Sequence, residues 1–312
     1  MAGRALGSGV VTPPSDDGSD PAGWTSAGEV ADLLLREDYI AEAPLAMAVY
    51  LSAKLGKPLL VEGEPGCGKT EIAKALASSI GVDLIRLQCF EGLDARSALY
   101  DWDYPRQLLT IRMHERERSD AALEREVFSE RFLLRRPLLR ALEGDGTHCP
   151  VLLIDEVDRA DEEFEGLLLE FLSEFQVSIP ELGTIVAKRV PLVVITSNRT
   201  RDLSDALKRR CLYVYLDYPD LEKEVAILRR RLPALAPEFA RAIVGFVQRL
   251  RVEPDLAKRP GVAETLDWAA ALLALHRSEL DPETIGATLG FLIKDAQDLR
   301  ALGPERVAAL RG

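Results

Sequence analysis

Residues 57–81 read KPLLVEGEPGCGKTEIAKALASSIG, and no other stretch constrains the architecture of this chain as strongly. Leu59 to Glu62 is a short apolar run of the kind that forms a buried strand. Residues 63–70 match the spacing GxxxxGK[ST], and apolar residues then recur at helical spacing until Gly81. A strand, a glycine-rich loop and a helix in this order predict a phosphate-binding loop, or P-loop.

The P-loop residues have distinct predicted roles. The glycines let successive backbone N–H groups turn inward toward phosphate oxygens, and the start of the helix adds its positive dipole end. Lys69 is expected to reach the β- and γ-phosphates, and the Thr70 hydroxyl to ligate magnesium. A thiol beside a helix N-terminus tends to have a lowered pKa, which makes Cys67 a candidate reactive thiol. The predicted nucleotide-binding residues in this stretch are Gly63, Glu64, Pro65, Gly66, Cys67, Gly68, Lys69, Thr70 and Glu71.

A second apolar run, Val151 to Ile154, is followed by two adjacent carboxylates. Because α/β sites form at the carboxyl ends of parallel strands, Asp155 and Glu156 are expected at the same edge as the P-loop. Asp155 is predicted to hold magnesium, and Glu156 to take a proton from an attacking water. This second carboxylate favours hydrolysis over transfer to an acceptor hydroxyl.

A third apolar run, Pro191 to Thr196, ends at an amide, Asn198, that is predicted to orient the attacking water. A short helix then ends in Arg209 and Arg210, before a fourth run from Leu212 to Leu216. The two arginines have two open readings. They are either a solvated helix end or fingers that reach the phosphate of another subunit.

Composition limits the classes of partner. The net charge is −12 and the isoelectric point is about 5.0, so repulsion disfavours nucleic acid as the main partner. No apolar run approaches the roughly 20 residues that span a bilayer, and no secretory signal is recognisable, so no membrane association and a cytoplasmic location are expected. Residues 1–27 are rich in Gly, Ser, Asp and Pro and are predicted to be a disordered tail.

Residues 98–109, ALYDWDYPRQLL, concentrate aromatic side chains in an aromatic-poor chain. Alternating aromatics suggest a half-buried strand, but the intervening acids and Pro105 argue against a central one. We expect a projecting insertion over about 98–118, without a regular helix at Pro105 and with Trp102 or Tyr104 partly exposed to contact a partner. The alternative, that this stretch is core, stays open for Tyr100 and Leu108.

The rest of the chain predicts a hairpin at about 175–188 and a helical region from residue 219 onward. The expected domains are a nucleotide-binding core over 28–218 and a lid over 219–312, with Trp268 in the core of the lid.

The motifs resemble those of the AAA+ ATPases over nearly everything after residue 28. Within that superfamily the chain is similar to the MoxR branch, on EGEPGCGKTEIAKALA, YDWDYPRQLL and FQVSIPELGTIVAKRVPLVVITSNRT. YDWDYPRQLL and PGVAETLDWA are especially similar to the carbon-monoxide dehydrogenase accessory ATPases of that branch.

The resemblance implies an α/β core with a five-stranded parallel sheet, a small all-helical lid, and a homo-oligomeric ring, usually a hexamer. It implies that ATP and Mg²⁺ are held by Lys69, Thr70 and Asp155, with Glu156 as general base and Asn198 as a sensor of the γ-phosphate. It places the arginine finger at Arg210, with Arg209 as the alternate. Gly261 stands where many relatives carry a second sensor arginine, so Lys258 or Arg259 is the expected substitute.

The resemblance also implies a chaperone-like role in the maturation of a metalloenzyme, such as a molybdenum-containing carbon-monoxide dehydrogenase, with an adaptor that carries a von Willebrand A domain. Two alternatives are a nucleic-acid-directed AAA+ motor or clamp-loader relative, and a small P-loop kinase or GTPase. The acidic charge counts against the first, and the Asp155–Glu156 pair and the lid helices count against the second.

Overall fold

The computed structural model describes residues 23–114, 120–144, 148–254 and 256–311. Its centre is a five-stranded parallel sheet in the order β2–β5–β8–β1–β9, which confirms the expected α/β fold. The strands, numbered along the chain, are Leu59–Gly63 (β1), Leu84–Gln88 (β2), Tyr100–Trp102 (β3), Leu133–Arg135 (β4), Val151–Asp155 (β5), Gln176–Ile179 (β6), Gly183–Val186 (β7), Leu192–Ser197 (β8) and Leu212–Leu216 (β9).

The helices are Ala27–Arg36 (α1), Ala43–Leu55 (α2), Lys69–Ile80 (α3), Ala95–Ala98 (α4), Tyr104–His114 (α5), Asp120–Val127 (α6), Pro137–Glu143 (α7), Glu162–Glu174 (α8), Asp205–Arg210 (α9), Leu221–Arg231 (α10), Pro237–Arg251 (α11), Val262–Ala274 (α12), Pro282–Thr288 (α13), Ala296–Ala301 (α14) and Pro304–Arg311 (α15). Short 3-10 turns lie at Glu130–Phe132, Val157–Arg159 and Leu289–Phe291. Within the described ranges, none of these helices has the length and apolar character needed to cross a membrane.

The central strands are apolar because both faces of the sheet are covered. Every residue of β1, β5 and β8 is buried. One face packs against α1, α2 and α3, and the other against α7 and α8. Since the strands are parallel and in register, with Val61 opposite Thr196 and Ile154 opposite Ile195, their carboxyl ends lie along one edge. That edge carries the P-loop, Asp155 and Asn198.

The lid, α10 to α15, has a hydrophobic core of its own. Trp268 is fully buried there, with its ring 5.3 Å from that of Phe246 and its Nε1–H donating to the Thr288 hydroxyl at 2.8 Å. The prediction that Trp268 belongs to the lid core is confirmed. The predicted hairpin is also confirmed, because β6 and β7 pair antiparallel.

The structure describes residues 23–27, which belong to the predicted N-terminal tail. Trp24 is buried against the α1–α3 face of the sheet, and the Ser26 hydroxyl accepts the Glu29 N–H at the start of α1. The structure therefore differs from the predicted disordered tail at residues 24–27, because the indole of Trp24 is covered by apolar residues and α1 begins at Ala27. Residues 1–22 lie outside the described residues.

The aromatic stretch after α4 contributes to the core. Strand β3 pairs antiparallel with β4, and Trp102 is only 7% exposed, with its ring edge-on to Phe128 at 5.4 Å. The expectation that Trp102 or Tyr104 is partly exposed is met by Tyr104 and not by Trp102, because β4 and Phe128 cover the indole. Tyr104 is 49% exposed as expected, whereas Leu108 is 59% exposed and does not belong to the core.

The acids of this stretch accept local hydrogen bonds. Asp101 Oδ1 accepts the Trp102 N–H at 2.8 Å, and Asp103 Oδ1 accepts the Arg106 N–H at 3.2 Å at the start of α5. Pro105 therefore lies in the first turn of a helix, where a missing N–H costs nothing, and the prediction that it prevents a regular helix is wrong. Residues 115–118 of the predicted insertion lie outside the described residues.

The different burial of Trp102 and Tyr104 predicts that their removal changes the free energy of unfolding by different amounts. Trp102→Ala should lower the free energy of unfolding by about 3–5 kcal/mol, because it leaves a cavity against Phe128. Tyr104→Ala should change it by less than about 0.5 kcal/mol, since that side chain is half in solvent. Urea unfolding followed by circular dichroism measures both, and equal effects would contradict the assignment of Trp102 to the core.

Candidate functional site

The lysine of the P-loop is buried against the backbone of the loop. Lys69 is 6% exposed, and its ammonium donates to the backbone carbonyls of Gly63 and Glu64, both at 2.8 Å. Gly66 and Gly68 have φ of 77° and 95°, a left-handed backbone that glycine adopts without steric cost. The loop carbonyls thus hold the Lys69 ammonium next to the N-terminus of α3. This cation and the N–H groups at the start of the helix together suit the binding of an anion.

Asp155 connects the P-loop helix to two strands. Its Oδ1 accepts from the Thr70 hydroxyl at 3.0 Å and from the Thr196 hydroxyl at 2.6 Å. Its Oδ2 accepts from the Arg86 guanidinium at 2.6 Å. The predicted pair of Thr70 and Asp155 therefore lies together, as hard oxygen donors that suit magnesium. Sequence reasoning missed Arg86 and Thr196, although a charged residue inside the apolar run of β2 was an available signal.

Glu156 lies one residue further, in a left-handed conformation with φ of 55°. Its Oε1 accepts from the Asn198 amide at 3.3 Å, and its Oε2 from the Gln88 amide and the Arg159 guanidinium, both at 3.0 Å. Its own N–H donates to the Thr196 hydroxyl at 2.9 Å. Such strain in a non-glycine residue costs roughly 1–3 kcal/mol and is concentrated at functional sites. It turns the carboxylate away from the strand toward Asn198.

A buried acid fixes the segment that carries Asn198. Asp158 Oδ1 accepts the Asn198 N–H at 3.1 Å, and Oδ2 accepts the Thr200 N–H at 2.9 Å and its hydroxyl at 2.6 Å. Burial alone would raise the pKa of Asp158, but these hydrogen bonds together outweigh it and lower the pKa below its ordinary value. Asp158 is therefore a charged anchor that the sequence patterns did not indicate.

A cavity of about 640 Å³ lies between the core and the lid. The P-loop, Asp155, Glu156 and Asn198 form its polar side. The opposite side is largely apolar and comes from residues before α2 and from the lid. Those residues include Tyr39, Ile40, Ile227, Leu232, Val262, Leu266 and Ala270. The cavity suits a nucleoside triphosphate, because its polar side can bind phosphates and its apolar side can pack against a flat ring.

The three predicted arginines lie elsewhere. Arg209 and Arg210 are exposed at the end of α9, where the Arg210 guanidinium donates to the Ser173 hydroxyl. Arg259 is exposed, and the lining of the cavity, among the residues described, includes none of these three. Two lid cations that the sequence did not indicate do line it, namely Lys223 and Arg231 of α10.

The pKa of the Cys67 thiol in the P-loop differs from the prediction. Burial raises the pKa of Cys67 above its ordinary value, and the nearby Lys69 only partly counters it. The prediction of a lowered pKa is wrong, because the loss of hydration outweighs the positive end of α3. Cys67 is a neutral thiol near neutral pH.

The class of protein follows from the fold and the site together. A parallel sheet in this order, with a P-loop after β1 and an acidic pair after β5, is the AAA+ P-loop fold. Residues 58–211 match the family model of the AAA domain, dynein-related subfamily. This part of the chain is therefore an AAA domain of the AAA+ ATPases.

Known proteins similar to the chain include a mitochondrial Lon protease homologue of Phaeodactylum tricornutum, 28% identical over 75% of this chain. The match covers only 25% of that relative's length. An uncharacterised protein of Staphylococcus haemolyticus is 23% identical over 71% of this chain and 77% of its own. Among solved structures, the chain is similar to the RuvB Holliday junction branch migration motor of Thermotoga maritima. That likeness has 18% identity, covers 86% of this chain and 70% of the other, and has a TM-score of 0.43.

The role of the P-loop lysine can be tested by binding alone. Lys69→Ala should weaken binding of a fluorescent ATP analogue by about 10- to 100-fold, because a hydrogen bond to a charged group contributes about 1.5–3 kcal/mol. Lys57→Ala, which removes an exposed lysine that does not line the cavity, is the control and should bind normally. Equal binding by the two variants would exclude Lys69 from the phosphate cradle.

Proposed function

We propose that the protein is a MoxR-type ATPase that hydrolyses Mg-ATP in a ring of its own copies, expected to be a hexamer, and remodels or matures a protein client. The observation that carries this proposal is the placement of Glu156. Its carboxylate accepts a hydrogen bond from the Asn198 amide at 3.3 Å and follows directly after Asp155, in a cavity that the P-loop also lines.

Each residue of the site has a role in this proposal. Lys69 and the P-loop N–H groups bind the phosphates. Thr70 and Asp155 would hold Mg²⁺, which when bound neutralises charge on the phosphate oxygens. The Glu156 carboxylate accepts a proton from the attacking water, and the Asn198 amide orients that water. The lid covers the cavity and excludes bulk solvent.

The arginines of α9 motivate the ring. Arg209 and Arg210 are at the surface, and neither lines the cavity of the described chain. Their exposure supports a role between subunits, in which an α9 guanidinium stabilises the transferred phosphate charge at the site of a neighbouring copy. Arg210 is the proposed finger and Arg209 the alternate.

The client is proposed to be a metalloenzyme, such as a molybdenum-containing carbon-monoxide dehydrogenase, reached through an adaptor with a von Willebrand A domain. The support is the similarity of residues 100–109 and 260–269 to the accessory ATPases of that enzyme. The net charge of −12 weighs against the alternative, a nucleic-acid-directed motor. ATPase activity with and without DNA separates the two functions, because several-fold stimulation by DNA would favour the motor.

The proposed base can be removed with little change of shape. Glu156→Gln should bind the ATP analogue as the wild type does but hydrolyse ATP about 100-fold more slowly or worse, since the amide cannot accept the proton. Phosphate release at saturating ATP measures the loss. Glu163→Gln neutralises an exposed acid on α8 and should hydrolyse ATP normally. Near-normal turnover by the Glu156 variant would show that another group is the base.

A finger acting between subunits predicts complementation. Arg210→Ala subunits and Lys69→Ala subunits should each hydrolyse ATP poorly alone. Mixed rings should recover part of the activity, because some junctions combine an intact P-loop with an intact arginine. Arg209→Ala is the comparison that tells the two arginines apart. No recovery in rings shown to be mixed would contradict an Arg210 finger.

A further inference from the structure

The lid touches the P-loop through the backbone. The Val262 N–H at the start of α12 donates to the Gly66 carbonyl at 2.9 Å. A Cβ atom added at Gly261 would lie 2.6 Å from Gly66 Cα and 2.9 Å from the Gly66 carbonyl oxygen. Real Cβ atoms do not approach so closely, so a side chain at residue 261 requires the lid or the loop to move.

A buried ion pair fixes the start of α12. The Arg251 guanidinium forms two hydrogen bonds of 2.7 Å with the Glu224 carboxylate, and the two side chains are 5% and 0% exposed. Arg251 Nε–H also donates to the Pro260 carbonyl at 2.7 Å, and the Thr265 hydroxyl donates to Glu224 at 2.9 Å. A charge pair with its hydrogen bonds satisfied holds α10, α11 and α12 in one arrangement.

The same ion pair supports a second contact with the loop. The Arg251 guanidinium lies 4.5 Å from the centre of the Tyr218 ring, and the Tyr218 hydroxyl donates to the Pro65 carbonyl at 3.3 Å. Val262 of the lid and Tyr218, which precedes the lid, therefore contact two consecutive carbonyls of the P-loop, those of Gly66 and Pro65. A loop that turns its N–H groups toward phosphates must point carbonyls outward, and these two meet α12 and Tyr218.

We propose that Gly261 and the Arg251–Glu224 pair are positioning residues, and that they couple the shape of the phosphate cradle to the position of the lid. The lid acts on the Gly66 carbonyl directly, and on the Pro65 carbonyl through Tyr218, whose ring packs against Arg251. It does not act through an arginine at the start of α12. This inference rests on ATP as the ligand. Because coupling is reciprocal, nucleotide in the cradle strengthens the lid contact, and a displaced lid weakens nucleotide binding.

The sharpest test adds one methyl group. Gly261→Ala should raise the KM for ATP and the Kd for the fluorescent analogue on the order of tenfold, because displacements below 1 Å at such sites are costly. The kcat at saturating ATP should stay within about twofold, since Glu156 and Asn198 are untouched. Gly286→Ala is the matched control in the same lid, because a Cβ there meets nothing within 4 Å.

Hydrogen exchange supplies a readout that does not depend on turnover. A non-hydrolysable ATP analogue should slow exchange of the Val262 amide in the wild type and in Gly286→Ala, but not in Gly261→Ala. Equal protection in all three proteins would overturn the coupling.

A gentler variant covers the case in which Gly261→Ala fails to fold. Tyr218→Phe keeps the ring over Arg251 and removes only the hydroxyl that reaches Pro65, so nucleotide binding should weaken about threefold with unchanged urea unfolding. Tyr50→Phe removes a hydroxyl that donates to the Thr25 carbonyl at the same 3.3 Å, outside the cavity, and should bind normally. Indistinguishable affinities for the two variants would refute the coupling. A wild type that does not bind the analogue would instead refute the proposed function.

Discussion

The rest of the site depends on the hydrogen bonds that the buried carboxylate of Asp155 accepts. It accepts hydrogen bonds from Thr70 at the start of α3, Thr196 at the end of β8 and Arg86 in β2. These residues are distant in sequence, and an unpaired carboxylate at this depth would be very costly. Satisfying one acid therefore brings the P-loop helix and the strand ends to the same edge, which gives Glu156 and Asn198 their fixed separation.

The two sides of the cavity differ in how they reach a bound phosphate. The core supplies side chains directly, with Lys69 and Glu156 facing the cavity. At the start of α12, Gly261 lies so close to Gly66 that there is no room for a side chain. This part of the lid therefore contacts the P-loop through its backbone. The lid cations that do line the cavity, Lys223 and Arg231, pair with acids of the core, Glu42 and Glu71. The lid is thus attached to the core by charges at the surface and by polar contacts at the P-loop.

The aromatic stretch after α4 shows how one pattern serves two purposes. Alternation places Tyr100 and Trp102 on one strand, and β4 and Phe128 cover the indole. The next turn begins a helix whose outer side exposes Tyr104 and Leu108. Buried core area and exposed apolar area therefore come from adjacent residues.

The sequence by itself determined four of the strands, the P-loop, the acidic pair and the helical region after residue 219, because apolar period and glycine spacing are local properties. The five-stranded parallel sheet was expected only from the resemblance to the AAA+ ATPases. The tertiary structure alone decided what depends on distant segments. Arg86 and Asp158 were not predicted, since nothing near them in the chain indicates their partners across the sheet edge. For the same reason the pKa of Cys67 was predicted wrongly, and the sequence left open whether Trp102 or Tyr104 is the exposed aromatic. Local sequence shows which groups are present, but desolvation depends on which distant residues cover them.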